Sequence, residues 1–127
     1  MSAYGKKQVL KCMLCGAVVS RIAGESEIVC CGQPMKTLEE KSADFTTEKH
    51  VPVVTILPEG GIKVVVGSTP HPMTDEHYIV MIEVVNGAWS NRKFLKPGEK
   101  PEAEFHVPYS DALEVREYCN VHGLWKK

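Results

Sequence analysis

Apolar and polar positions along this chain fall into short runs, and none of them repeats at helical spacing. Val51 to Leu57 is β-branched and apolar, Pro58-Glu59-Gly60-Gly61 breaks it as a turn, and Ile62 to Val66 resumes the pattern. Ile79-Val80-Met81-Ile82-Glu83-Val84-Val85 is a near-continuous apolar run, as a central sandwich strand covered on both faces requires. Asn86-Gly87 follows it directly and signals a hairpin, since both residues tolerate positive φ. Lys96 to Pro101 reads as a long turn, after which Ala103 to Val107 and Leu113 to Cys119 return to strand character. The only helical feature expected is a turn near Ser110-Asp111. Short strands punctuated at this spacing predict an all-β chain built on an immunoglobulin-like antiparallel sandwich.

The first 35 or so residues follow a different logic. Cys12-Met13-Leu14-Cys15-Gly16 and Cys30-Cys31-Gly32 are two turns, each closed by a glycine, with Ala17-Val18-Val19 and Glu27-Ile28-Val29 between them as short strand candidates. A segment this small buries too little apolar surface to fold unaided, so a metal is expected to serve as its core. The polar stretch Glu39-Glu40-Lys41-Ser42 reads as a linker, which gives domains over residues 1–37 and 38–127.

Composition narrows the functional classes. With 127 residues, 43% apolar and 24% charged, the chain has the make-up of a soluble globular protein. A formal net charge of −1 gives no reason to expect nucleic acid or an anionic membrane as partner, so steering of a charged ligand must be local. No apolar run approaches the roughly 20 residues needed to cross a bilayer. No apolar segment follows the charged N-terminus as a secretory signal would, so a cytoplasmic location is expected. Clustered cysteines in a reducing compartment are metal ligands more often than disulfides.

Cys12, Cys15, Cys30 and Cys31 form a tetrathiolate set for one tetrahedral ion, with an unusual adjacent second pair. On ligand chemistry alone zinc and iron remain equally open there. A second set lies downstream. His50 precedes a strand, His71 and His77 bracket a loop, and His122 lies three residues after Cys119, close enough to share an ion from one turn. Loops at the end of a sandwich are where a scaffold presents ligands. His106 sits mid-strand without a partner in sequence and is set aside as structural. Blue-copper sandwiches also carry a histidine and a C-terminal Cys…His pair, but they need a methionine soon after as axial ligand. This chain ends Gly123-Leu124-Trp125-Lys126-Lys127 and leaves two loop histidines over. Four imidazoles and one thiolate describe instead a five-coordinate iron with one position free.

Taken in order, Cys12-x-x-Cys15…Cys30-Cys31, Glu48-Lys49-His50-Val51-Pro52, His71-Pro72-Met73, His77 and Cys119-Asn120-Val121-His122-Gly123-Leu124-Trp125 resemble the motifs of the desulfoferrodoxin family. The match spans essentially the whole chain, and the complete cysteine cluster is similar to the two-iron subgroup. The resemblance implies a small desulforedoxin- or rubredoxin-like domain carrying an Fe(Cys)4 centre, followed by a superoxide reductase sandwich. It implies a second iron held equatorially by His50, His71, His77 and His122 and axially by Cys119, with neither haem nor nucleotide. It further implies one-electron reduction of superoxide to hydrogen peroxide, a rubredoxin-like electron donor and a homodimer. Within the motif Glu48 is expected to fill the sixth iron position at rest, and Lys49 to attract the anionic substrate. Without it the two would read as a solvated charged pair. A superoxide dismutase, an electron-transfer protein and a structural metalloprotein are the competing classes.

Overall fold

The computed structural model describes residues 7–42 and 49–127, and every regular element among them is a β-strand. These residues divide into two compact units, the smaller ending at Glu39 and the larger starting at Glu40. The smaller contains β1 (Val9–Lys11), β2 (Val18–Ser20), β3 (Val29–Cys30), β4 (Gln33–Pro34) and β5 (Lys36–Thr37). β1 lies between β2 and β5, and β3 pairs with β4 in a separate ladder. Only Val9, Leu10 and Cys12 are buried there, too few side chains to make a hydrophobic core.

The larger unit contains β6 (Glu40–Lys41), β7 (Pro52–Ile56), β8 (Ile62–Val66), β9 (Ile79–Asn86), β10 (Trp89–Phe94), β11 (Glu102–Phe105), β12 (Glu114–Cys119) and β13 (Gly123–Lys126). One sheet runs β10-β9-β12-β13-β6 and the other β11-β8-β7. Ile62, Val64 and Val66 of β8 pack with Ile82, Val84 and Val115 of the larger sheet, and Cys119 belongs to the same core. Period-2 alternation makes β8 half-buried, whereas β9 is buried on both faces, as its unbroken apolar run requires. The far face of β9 is covered by an ionic cluster. Glu83 accepts hydrogen bonds from Arg116 Nε, from Arg92 Nε at 2.7 Å and from Ser90 Oγ at 2.8 Å.

Two local expectations change. Asn86 pairs with Trp89, so the hairpin turn is Gly87-Ala88, with Gly87 at φ 60°, and Asn86 stays in the strand. Glu40 and Lys41 form a strand rather than a linker, pairing in parallel with Leu124 and Trp125. β13 itself had no pattern of its own to announce it, being only four residues long. A bulge between Tyr118 and Cys119 brings Ile79 opposite Cys119 and so turns the end of β12 toward the core.

Candidate metal centres

The first centre is built from two hairpin turns. Between β1 and β2, the Gly16 amide donates to the Cys12 carbonyl at 2.9 Å and the Cys12 amide to Ala17 at 2.8 Å, which folds Cys15 back over Cys12. Between β3 and β4, Cys30 pairs with Gln33 and leaves Cys31-Gly32 as a two-residue turn. Their φ values, 56° and 75°, are the pair of positive angles a primed hairpin demands. The left-handed conformation costs a cysteine about 1–2 kcal/mol, but it lets adjacent residues face one ion. The Cys30 and Cys31 sulfurs lie 3.9 Å apart, those of Cys15 and Cys30 3.7 Å apart, and all four within 4.8 Å of one another.

Amides of Cys15 and Leu14 hold the Cys12 thiol down to about 6, while the neighbouring sulfurs push Cys30 up to about 12 and raise Cys31 as well. One thiolate forms readily and the others resist. The full set ionises together only around a cation, so these residues fit a tetrahedral metal.

The second centre sits at one end of the sandwich. His50 lies two residues before the start of β7, His71 and His77 come from the β8–β9 loop, Cys119 ends β12, and His122 lies in the turn to β13. The four imidazoles close a ring in the order 50, 71, 77, 122. Successive centroids lie 4.9, 4.6, 4.9 and 4.7 Å apart, and each pair meets edge to face. Cys119 Sγ stands 4.0 Å from His122 Nδ1, is fully buried, and accepts the His122 amide at 3.4 Å.

One hydrogen bond settles which lone pair of His71 faces inward. His71 Nδ1 lies 2.7 Å from the Pro72 carbonyl, which can only accept, so Nδ1 carries the hydrogen and Nε2 is a free lone pair. His71 Nε2 and His77 Nε2 are both buried without a hydrogen-bond partner. Each unsatisfied buried nitrogen costs about 1–3 kcal/mol, a cost a bound cation removes. Burial drives the His71 pKa down to about 4, and burial together with the His50 and Lys49 charges lowers that of His77. Burial pushes the Cys119 thiol up, while amides of His122 and Val121 and the Lys41 charge pull against it. Neutral imidazoles plus one thiolate suit a borderline first-row ion, so this donor set also fits a metal.

The ligand loops are themselves pinned. Thr74 and His77 exchange main-chain hydrogen bonds at 2.9 and 3.2 Å. Asn120 brackets His77: its Nδ2 donates to the Glu76 carbonyl at 3.0 Å, and its Oδ1 accepts the Tyr78 amide at 2.8 Å. The indole of Trp125 stacks on His50 with 4.6 Å between centroids and 17° between planes. Asn120 and Trp125 lay within the quoted motif without a role, and an Asn directly after a strand-ending ligand was the available signal. Lys41 had no signal at all, because its contact crosses 81 positions of sequence.

His106 is exposed just past β11 and stands outside both groups of donors. Glu48 lies outside the described residues. Glu117 is fully buried, neither of its oxygens has a hydrogen-bond partner, and burial raises its pKa well above the ordinary value.

Fold and donors together define a metalloprotein with two centres, a tetrathiolate turn unit and a sandwich-end site of four imidazoles and one thiolate. A family model described as desulfoferrodoxin matches residues 42–127, and one described as the desulfoferrodoxin N-terminal domain matches residues 5–38. The chain is 52% identical to a desulfoferrodoxin homolog of Archaeoglobus fulgidus and 48% identical to the desulfoferrodoxin of Nitratidesulfovibrio vulgaris, each match covering 94% of both chains. Among solved structures it resembles the superoxide reductase from Treponema pallidum, with a TM-score of 0.75 at 27% identity over 96% of this chain and 98% of that one. The chain belongs to the desulfoferrodoxin family. Its two groups of donors match the family's two iron centres.

Proposed function

We propose that the protein is a superoxide reductase: superoxide, one electron and two protons give hydrogen peroxide at the His50, His71, His77, His122 and Cys119 site. The observation that carries this reading is the closed ring of four imidazoles with the buried Cys119 sulfur beside it. Iron bound there supplies the one-electron couple. His50, His71, His77 and His122 would hold the ion, and Asn120 and the Thr74–His77 pair keep the loop histidines from drifting. Cys119, rooted in the core, would supply the thiolate ligand, whose electron donation favours release of the product. Lys49, whose charge reaches His77, would draw the anionic substrate to the ring. The Fe(Cys)4 unit lies in the N-terminal domain, the electron comes from a rubredoxin-like protein, and the working form is a cytoplasmic homodimer.

The likeness to superoxide reductases of known structure supports this assignment. Stopped-flow assays with reduced rubredoxin test it: a reductase consumes the donor in proportion to superoxide, whereas a dismutase leaves it untouched. Metal analysis should find two irons per chain with separate spectra. Stoichiometric zinc in both centres would end the redox reading.

A further inference from the structure

Lys41 comes from the segment whose sequence reads as linker, yet its ammonium is seated on the second metal centre. It donates to the main-chain carbonyl of His122 at 2.9 Å and lies 5.2 Å from the centre of the Trp125 ring. The same carbonyl accepts Trp125 Nε1 at 3.2 Å, and the Trp125 ring stacks on His50. The parallel pairing of β6 with β13 sets Lys41 opposite Trp125 in register, so the charge is placed by main-chain geometry rather than by a wandering side chain. One cation thus touches the turn carrying Cys119 and His122 and, through an indole, the ring of His50. No other described role uses it.

We propose that Lys41 is a positioning residue that tunes the second centre, favouring its reduced form and holding His50 and His122 in the imidazole ring. The inference rests on the reading that iron occupies that ring. The argument is electrostatic. An oxidised centre carries one more positive charge than a reduced one, so a fixed cation nearby disfavours oxidation. Lys49 acts on the incoming anion, whereas Lys41 acts on the ligands from behind. A cation over an indole adds about 0.5–1 kcal/mol at an exposed site, enough to fix the ring and little enough to leave the fold intact without it.

The test compares full-length Lys41→Met, which keeps the stem and loses the charge, with Lys41→Arg, which keeps both. Spectroelectrochemical titration of the second centre is read with its thiolate-to-ferric band, its iron content and the melting temperature of the metal-free protein. At the wild-type midpoint poise, Lys41→Met should raise the oxidised-to-reduced ratio about threefold, the size expected of one charge at water-like screening. Its band should shift, its metal-free melting temperature should fall by no more than a few degrees, and Lys41→Arg should restore the wild-type ratio. Full iron content with an unmoved midpoint and band in Lys41→Met would overturn the inference alone. An unmoved midpoint with early unfolding of the metal-free variant would do the same, leaving Lys41 a structural residue. A wild-type protein without iron in the ring would instead bring down the functional reading beneath it.

Discussion

Glu83→Gln removes one charge from the inside of the larger sheet and leaves the shape of the side chain intact. Glu83 is 1% exposed and Arg116 2%. Three donors converge on the carboxylate, from Arg116, Arg92 and Ser90. Glutamine turns one accepting oxygen into a donor facing those donors, while Arg116 keeps its contact with Glu40 at 3.1 Å. Breaking a buried pair by neutralising one partner costs about 3–5 kcal/mol, and the surviving Glu40 contact argues for the lower end. For a chain of this size that corresponds to a melting temperature lower by roughly 10 °C. The effect has a signature in pH. Burial alone would raise the Glu83 pKa, but the Arg116 charge and the hydrogen bonds of Arg116, Arg92 and Ser90 outweigh it and hold the carboxyl below its ordinary value. A carboxyl depressed in the folded state stabilises fully above its unfolded pKa, about 4.3, and loses that contribution as pH falls through the lower folded value. Thermal melts of both proteins should therefore differ most near neutrality and converge below about pH 4. Iron content should stay the same, because Glu83 lies on the sheet face opposite the core that holds Cys119. Equal melting temperatures at pH 7 would refute the assignment of this cluster as a stabilising element.

Cys119→Ser should abolish superoxide reduction, since an oxygen donor cannot replace the thiolate, while Cys15→Ser should leave the second centre able to react in a single turnover. Single-turnover absorbance separates the two, and loss of that reaction in Cys15→Ser would mean the centres are coupled. His106→Gln should keep full iron content by metal analysis, and loss of the second iron would show that the wrong four histidines have been chosen. Lys49→Ala should slow the second-order reaction with superoxide roughly tenfold and flatten its decline with ionic strength, as one local charge does between water-like and protein-like screening. Pulse-radiolysis rates across a salt series give both numbers, and a wild-type rate with a wild-type slope would make Lys49 an ordinary surface charge.

What the sequence determined by itself was local. Cys12-x-x-Cys15 and Cys30-Cys31-Gly32 announce their turns because ligand spacing and positive φ are properties of neighbouring residues. The apolar stretch Ile62–Val66 and the unbroken run from Ile79 reveal a strand and a central strand for the same reason, while the half-burial of the first emerges only from the structure. The five sandwich-end donors were legible from residue type, loop placement and the Cys119-x-x-His122 spacing, and from motifs that resemble those of a family, not from any periodicity. Tertiary structure decided the rest. The cyclic order of the histidines, the bracketing of His77 by Asn120 and the turning of Cys119 toward the core depend on how β8, β9 and β12 register across tens of residues. Glu83 and Arg116 are 33 positions apart, and Lys41 and His122 81, so nothing in the intervening sequence marks either contact. A stretch such as Glu40-Lys41 is too short and too polar to declare itself a strand. Only the open edge of β13, which supplies main-chain partners regardless of side chain, makes it one.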